Sequence, residues 1–237
     1  MSRHAREDLV WDLIESELGR ADAPAVAQVL DVGGGSGGLA VPLAREGCTV
    51  TVVDASADAL ATLHRRAAEA GVAGRIRGVQ GDVDDLSGVV PEAGFDLVLC
   101  HSVLGVVDDP AAAVAALSAA TRPGGALSIV VANRASVVLA RAVRGELAQA
   151  AAALADADGR WGPGDALLHR FDAAGLGAML QAAGCVVESV HGVGVFADLI
   201  ASDDGGAPAR LRALERAASD IPPYRDIAGR LHILARR

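Results

Sequence analysis

A glycine-rich loop near the start of the chain is the segment best suited to bind a small ligand. The run Asp31-Val-Gly-Gly-Gly-Ser-Gly37 stands between a short apolar stretch and a helical pattern. Glycine lets a ligand approach without a Cβ atom in the way, and a loop between strand and helix brings that ligand to the helix N-terminus. The candidate cofactor-binding residues of the loop are Gly33, Gly34, Gly35 and Gly37. Because Gly33, Gly35 and Gly38 also satisfy the dinucleotide pattern G-x-G-x-x-G, the loop alone leaves a nicotinamide cofactor open.

Of the three acidic residues around this loop, two distinguish a nicotinamide dinucleotide from a ligand that carries an ammonium and an adenosine. Asp54 ends the second predicted strand, where a carboxylate can accept both hydroxyls of a ribose, and this suits either kind. Asp31 directly precedes the loop, where it can meet a ligand ammonium or hold the loop amides, whereas it would repel a pyrophosphate. Asp82, with Val83 beside it, follows the third strand, as expected for a residue that contacts an adenine edge; a solvated acidic turn is the alternative. The acids favour a ligand with an ammonium and an adenosine.

Alternating strands and helices must position these residues. We predict strands at 27–32, 49–53, 75–81, 95–100 and 126–131 with helices between them, which indicates a parallel sheet covered on both faces. An Ala-rich helical stretch over 135–158 interrupts the alternation, and a helix at 172–183, a strand at 185–191, a helix at 208–218 and a strand at 229–235 follow. The predicted fold is α/β and Rossmann-like, a mostly parallel seven-stranded sheet with a helical insertion after the fifth strand.

The chain is expected to form a single domain. Its predicted parts are an N-terminal helix at 1–24, a cofactor-binding half at 25–133, an insertion at 134–171 and a C-terminal substrate-side half at 172–237.

The order of these motifs, with Phe95-Asp-Leu-Val on the fourth strand and Arg122-Pro-Gly-Gly before the fifth, resembles the class I S-adenosylmethionine-dependent methyltransferases. The resemblance implies their Rossmann-like fold and S-adenosyl-L-methionine as the cofactor. Further phrases resemble the tRNA 5-carboxymethoxyuridine methyltransferases, which make a methyl ester on a wobble-uridine carboxylate. These phrases are Arg6-x-x-Leu-Val-Trp11, His101-Ser-Val-Leu104, Asn133, Gly192-Val-Gly-Val-Phe196 and Gly229-Arg-x-His232. The narrower resemblance implies cofactor contacts at Arg6, Gly33, Gly34, Asp54, Asp82, Val83 and His101.

Two departures from that narrower family bear on the acceptor. Gly194 stands where the family has arginine, and the insertion, lysine-rich in the family, here reads Ala151-Ala-Ala-Leu-Ala-Asp-Ala-Asp158. A tRNA enzyme needs cations that contact phosphates. The arginines that could supply them are Arg134, Arg141, Arg144, Arg160 and Arg170. The residues between them also fit an ordinary amphipathic helix, so the acceptor is either a tRNA nucleoside or a small molecule.

Residues of the second half are candidates for contacts with that acceptor. Asn133 and Arg230 match the narrower family, and Arg230 is the matched cation nearest to the place of Gly194. Trp161 could stack on an acceptor ring or cover the insertion. His101 could act as a base, although a histidine at a strand end beside the cofactor is more often a packing or cofactor contact. No residue is assigned as catalytic, and no cluster has metal-ligand spacing.

The chemistry of methyl transfer favours an oxygen acceptor. A carboxylate, with a pKa of about 4, is already ionised at pH 7 and needs no general base. The Asn/Asp-Pro-Pro-aromatic motif of amino-methylating enzymes is replaced by His101-Ser-Val-Leu, so O-methylation is expected. A nicotinamide-dependent oxidoreductase and a non-catalytic cofactor-binding module are the alternatives.

Composition limits the partners and the compartment. The net charge of −9 over 237 residues argues against a protein that coats nucleic acid or an anionic membrane. The scattered Cys48, Cys100 and Cys185 are expected to be buried thiols in a reducing cytosol. The charged N-terminal segment lacks the pattern of a signal peptide, and charges, Gly or Pro interrupt every apolar run. We therefore expect a cytoplasmic protein that binds no membrane.

Overall fold

The computed structural model describes residues 2–20, 23–198 and 207–237, and it describes side chains within these ranges except at 2–8 and 207–208. The strands are β1 Gln28–Val32, β2 Thr49–Asp54, β3 Ile76–Gln80, β4 Phe95–His101, β5 Thr121–Ala132, β6 Val186–Val193 and β7 Arg230–Arg236. The helices are α1 Ser2–Leu18, α2 Ala40–Arg45, α3 Ala57–Glu69, α4 Leu86–Val89, α5 Pro110–Ala120, α6 Arg134–Val143, α7 Leu147–Ala155, α8 Ala173–Ala182, α9 Ala207–Ala218 and α10 Tyr224–Ile227.

All seven strands form one sheet in the order β3-β2-β1-β4-β5-β7-β6. The neighbours from β3 to β5 are parallel, whereas β7 runs antiparallel to both β5 and β6. The predicted mostly parallel seven-stranded sheet is thus confirmed. From β1 the chain builds outward to β2 and β3 on one side and later to β4 and β5 on the other, so a crevice opens where the carboxyl ends of β1 and β4 diverge.

Helices cover the sheet on both faces and bury two apolar layers. Ile14 of α1, Leu43 of α2 and Leu63 of α3 pack on one face, while Leu117 of α5 and Leu176 of α8 pack on the other. Burying a side chain of this size contributes about 1.5–3 kcal/mol. The two layers therefore fix the strands whose carboxyl ends carry the candidate residues.

Several helices begin at side chains that satisfy their first amides. Ser56 caps α3 by accepting from the Ala59 amide at 3.2 Å. Asp109 caps α5, and Pro110 occupies its first turn. Asp172 caps α8 through the Gly175 amide at 2.7 Å. Among the helices of the described residues, none is both long and apolar enough to cross a membrane.

The structure differs from the predicted elements in three places. The glycine loop continues as turns, so α2 begins only at Ala40. The predicted helical stretch over 135–158 is two helices, because Gly145, with φ of 77°, ends the first of them in the left-handed conformation. Strand β5 begins at Thr121 instead of 126, and an irregular register opposite Phe95 accommodates the extra residues. The division of the domain into functional parts stays a prediction.

Candidate cofactor and acceptor site

A cavity of about 300 Å³ opens at the carboxyl ends of β1, β2 and β3. The glycine loop contributes Gly33, the end of β2 contributes Asp54, and the turn after β3 contributes Asp82 and Val83. These four predicted cofactor residues are therefore brought together in one cavity. The remaining lining residues are Val32, Val53, Ala55, Gly81, Asp84, Val103, Val106, Val107 and Asp108.

The glycine loop is packed too closely for side chains at Gly33, Gly34 and Gly37, where a Cβ atom on Gly37 would lie 2.3 Å from Cδ1 of Leu63. A Cβ atom on Gly33, whose φ is +71°, would lie 2.3 Å from Cγ2 of Val103. A Cβ atom on Gly34 would lie 2.4 Å from Oδ2 of Asp31. The bare backbone of the loop is thus exposed to the cavity at Gly33 while the Asp31 carboxylate is held beneath Gly34. Gly35 and Gly37 also have positive φ, of 56° and 81°.

Asp54 is held rigidly at the edge of the cavity. Its Oδ2 accepts from the Gly35 amide at 2.8 Å, and its Oδ1 accepts from the Ser56 amide at 2.9 Å. Each carboxylate oxygen has further acceptor capacity, so Asp54 can accept hydroxyl hydrogens from a ligand in the cavity without leaving its backbone donors. This arrangement fits the ribose of S-adenosylmethionine.

Asp31 is a buried carboxylate with only 3% of its surface exposed. Burial, and then the negative charge of Asp54, raise the pKa of Asp31 to about 7. Among the described residues no donor forms a hydrogen bond to this carboxylate. A buried carboxylate without a partner is costly, and a ligand ammonium placed against the loop would offset that cost. Asp31 is thus suited to the ammonium of S-adenosylmethionine, and this contact stays a prediction, since Asp31 lies beneath the loop and does not line the cavity.

Asp82 and Val83 line the cavity at the turn that follows β3. Asp82 is exposed and caps a short 3₁₀ turn at Val83–Asp85, while Val83 is buried with 1% exposure. An exposed acceptor beside a buried apolar side chain suits the edge and face of an adenine ring. Their contact with adenine stays a prediction.

His101 ends β4 and hydrogen bonds through Nε2 to Oγ of Ser128, at 2.9 Å. Burial lowers the pKa of His101 to about 4, against a smaller opposing effect of Ser128. The ring is therefore neutral at pH 7. His101 does not line the cavity described above, and its predicted contact with the cofactor remains untested.

Asn133, a predicted acceptor contact, has a structural role instead. Its amide donates to the carbonyls of Asp226 and Ala228 at 2.9 and 2.8 Å, and its side-chain oxygen caps α6 by accepting from Ala135. With 1% exposure and both amide hydrogens used, the side chain joins β5 to the segment before β7. It is not free to bind an acceptor.

The other two predicted acceptor contacts have different surroundings. The guanidinium of Arg141 lies over the ring of Trp161 at 4.0 Å from its centroid, so this face of the ring is covered within the insertion. Arg230 begins β7 opposite Ala132 of β5 and Val193 of β6, at the sheet edge that carries the cofactor residues. No carboxylate among the described residues forms an ion pair with Arg230.

Arg6, a predicted cofactor contact, lies on α1, but its side chain is outside the described residues.

Two groups of site residues were not predicted. Val103, Val106, Val107 and Asp108 line the cavity, with Val106 53% exposed, and of these four only Val103 belongs to a motif noted in the sequence, His101-Ser-Val-Leu104. Ser128 and His232 form a buried polar group behind His101, and His232 was marked in the sequence only as the end of the phrase Gly229-Arg-x-His232. Among the described residues, no group of three or more His, Cys, Asp or Glu side chains could hold a metal ion.

Comparison with known proteins agrees with this geometry. The family model for a methyltransferase domain matches residues 2–190. The chain is 27% identical to the tRNA 5-carboxymethoxyuridine methyltransferase of Escherichia coli K12 over 237 residues, which cover 98% of this chain and 88% of the relative. It is 39% identical to the ubiquinone biosynthesis O-methyltransferase of Xanthomonas axonopodis pv. citri over 123 residues, 52% of this chain and 50% of the relative.

A solved structure shares the fold. The S-adenosylmethionine-dependent methyltransferase from Mesorhizobium loti superposes with a TM-score of 0.63 at 19% identity, covering 97% of this chain and 98% of that one. The family match spans the glycine loop, the cavity and the insertion. The chain therefore belongs to the methyltransferase-domain family and is a class I S-adenosylmethionine-dependent methyltransferase.

Proposed function

We propose that this enzyme methylates an oxygen atom of a small anionic molecule. The cofactor, when bound, supplies a methyl group on a positively charged sulfur. The protein's part is to orient the two reactants in line and to exclude water. We favour a small acceptor because most of the insertion's arginines form hydrogen bonds or ion pairs with other groups of the protein.

Three of the five arginines expected to contact phosphates have internal partners. Arg134 donates to the carbonyls of Leu154 and Asp156. Arg141 donates to Glu146 at 2.6 Å and to Gln149 at 2.7 Å, besides stacking on Trp161. Arg170 forms a bidentate salt bridge with the buried carboxylate of Asp165. Only Arg144 and Arg160 of this set remain exposed, which is few for a surface that must hold a tRNA backbone.

The loop after β6 gives a second reason. Gly194 has φ of +77°, a conformation that glycine adopts readily and arginine does not. The amides of Val195, Phe196 and Ala197 then donate to the buried Glu215 at 2.8, 2.8 and 2.6 Å. This loop is built around glycine, so the arginine of the narrower family has no counterpart there. Arg230 supplies a cation at this edge of the sheet, which suits a small anion.

The oxygen acceptor is supported by the end of β4 and by a relative. At the end of β4 the chain reads His101-Ser-Val-Leu, where amino-methylating enzymes have Asn/Asp-Pro-Pro-aromatic. The relative with 39% identity is named as an O-methyltransferase. A tRNA nucleoside is the second candidate, because the relative that matches 98% of this chain is named as a tRNA methyltransferase.

Methyl transfer from labelled S-adenosylmethionine to two acceptors separates these candidates. We expect methylation of 3,4-dihydroxybenzoate, a small anion with hydroxyls, and no methylation of bulk tRNA that carries the unmethylated 5-carboxymethoxyuridine. If tRNA is a substrate, its binding should fall steeply with salt, each phosphate contact adding about 0.7–0.9 to the slope of log K against log salt.

The exposed arginines provide a matched control for that experiment. The double variant Arg144→Ala/Arg160→Ala should leave methylation of the small acceptor unchanged, as should Arg45→Ala/Arg65→Ala, which removes the same charge from α2 and α3. Methylation of tRNA that falls with salt and drops only in the first double variant would contradict the proposal and establish the tRNA candidate.

A further inference from the structure

Four polar side chains form a continuous hydrogen-bonded chain across one face of the sheet. His101 Nε2 lies 2.9 Å from Ser128 Oγ, and the same oxygen lies 2.9 Å from His232 Nε2. His232 Nδ1 then lies 3.4 Å from His191 Nδ1. The chain therefore runs from β4 through β5 and β7 to β6.

The register of the sheet explains this alignment. Val130 of β5 pairs with both His101 and His232, and His232 pairs with His191. The three histidines thus stand at one level of the sheet, and Ser128, two residues before Val130 on the same face, bridges the gap across β5. Ser128 and His232 are 1% and 0% exposed, whereas His101 and His191 are partly exposed. The chain has a buried middle and two open ends.

Hydrogen-bond capacity dictates how protons are arranged along the chain. A serine hydroxyl has one hydrogen and a neutral imidazole has one N–H. If both rings donated to Ser128, the buried hydroxyl hydrogen would lack a partner in the chain. If neither ring donated, Ser128 could donate to only one of them, and the unprotonated nitrogen of the other ring would face the lone pairs of the Ser128 oxygen. Both 2.9 Å contacts are satisfied when His101 and His232 have opposite tautomers. All donors then point in one direction.

The histidines are neutral, so the chain is set to pass a proton and not to hold a charge. Burial is the main cause that lowers the pKa of all three rings, and for His232 the neighbouring His101 and His191 add to it. The charged groups near the outer end are Asp220, which opposes the shift of His191, and Arg225, which adds to it. No charged side chain is bonded to the buried middle of the chain among the described residues.

We propose that His101, Ser128, His232 and His191 form a proton path from the acceptor oxygen to the protein surface. This proposal rests on the proposed O-methyltransferase function and narrows it: the acceptor carries a hydroxyl. An ionised carboxylate has no proton to give, so a proton path would serve no purpose for it. His101 is then the base that contacts the acceptor, while Ser128 and His232 are positioning residues that act through it.

The proposed step balances. The acceptor oxygen forms its bond to the methyl carbon, the S–C bond breaks with its electrons left on sulfur, and the hydroxyl proton goes to His101 Nδ1. The Nε2 proton of His101 moves to Ser128, the Ser128 proton moves to His232 Nε2, and the Nδ1 proton of His232 moves to His191, which releases its Nε2 proton to water. One passage inverts every tautomer. The path resets after the product leaves by the reverse transfers: His101 Nδ1 loses its proton to water while its Nε2 regains one from Ser128. Ser128 regains a proton from His232 Nε2, His232 Nδ1 regains one from His191 Nδ1, and His191 Nε2 takes one from water.

Nitrogen-15 NMR of the histidine rings with S-adenosylhomocysteine bound tests the path without turnover. We expect His101 protonated on Nε2 and His232 protonated on Nδ1 at pH 7. In Ser128→Ala the signals of both rings should change, whereas Ser118→Ala, which removes a buried hydroxyl bonded to Ala183 on the opposite face, should leave them unchanged. The same tautomer at both rings, or the opposite pair, would overturn the proposal.

Kinetics separate the failure of the path from the failure of the proposed function. The acceptor in this experiment is 3,4-dihydroxybenzoate or another hydroxyl compound found by screening. Ser128→Ala should lower the rate of methyl transfer about tenfold or more, and Ser128→Thr should restore most of that rate. Ser118→Ala should leave the rate unchanged. The affinity for S-adenosylhomocysteine should change by less than about twofold. Equal rates for Ser128→Ala and wild type on a hydroxyl acceptor would overturn the path alone. Methylation of carboxylates but of no hydroxyl would overturn the proton path while leaving the proposed O-methyltransferase function intact.

Discussion

Asp54→Ala is expected to weaken the binding of S-adenosylhomocysteine by about 30- to 800-fold, which corresponds to about 2–4 kcal/mol for two charged hydrogen bonds to ribose hydroxyls. The effect is large because Asp54 is already fixed by the Gly35 and Ser56 amides, so the ligand finds both acceptor oxygens in place. Isothermal titration calorimetry measures the change directly.

Two further variants make the Asp54 result specific. Asp54→Asn keeps one acceptor oxygen and should fall between wild type and Asp54→Ala. Asp58→Ala removes an exposed carboxylate from the first turn of α3 nearby and should bind like wild type. An Asp54→Ala protein that is folded and has unchanged affinity would remove Asp54 from the site.

The stability of the cofactor-free protein is expected to fall between about pH 4 and pH 7 because of Asp31. Its pKa is raised from 3.8 to about 7 in the folded state, chiefly by burial and then by Asp54. The folded protein holds the proton more tightly than the unfolded chain, so the stabilisation is fully present below about pH 4 and is lost as the pH rises through about 7. A pKa shift of this size corresponds to about 4 kcal/mol in the free energy of unfolding.

Urea unfolding at several pH values measures this loss. Asp31→Asn, which cannot ionise, should lack the part of the decline that Asp31 causes, and the difference between the two curves should grow from pH 4.5 to pH 7.5. Asp58→Asn, at an exposed position, should follow the wild-type curve. Parallel curves for wild type and Asp31→Asn would show that Asp31 is ionised in the folded protein throughout this range.

The clustering of the candidate cofactor residues could be predicted because its determinants are local. Asp31, the loop glycines and Asp54 each lie at the end of a strand or in the turn that follows it, and a parallel sheet brings such ends to one edge whatever the rest of the chain does. The cavity that gathers Gly33, Asp54, Asp82 and Val83 confirms this geometry. The order of strands and helices was readable for the same reason.

The acceptor half was predicted less well because its contacts join distant segments. Asn133 binds carbonyls 93 and 95 residues away, and nothing in its neighbourhood in the sequence shows that both amide hydrogens are used. Ser128 lies 27 residues from His101 and 104 from His232, so the polar chain exists only through the register of β4, β5 and β7. The break at Gly145 was missed because the Ala-rich residues on both sides favour helix.

Calorimetric titration of the purified chain with S-adenosylhomocysteine and, separately, with NAD tests the central claim most directly. The buried Asp31 beneath Gly34 and the anchored Asp54 suit an ammonium and a ribose, whereas the ionised form of Asp31 would repel a pyrophosphate placed on the same loop. We expect saturable binding of S-adenosylhomocysteine and no binding of NAD at the same concentrations. Binding of NAD with no response to S-adenosylhomocysteine would contradict the account.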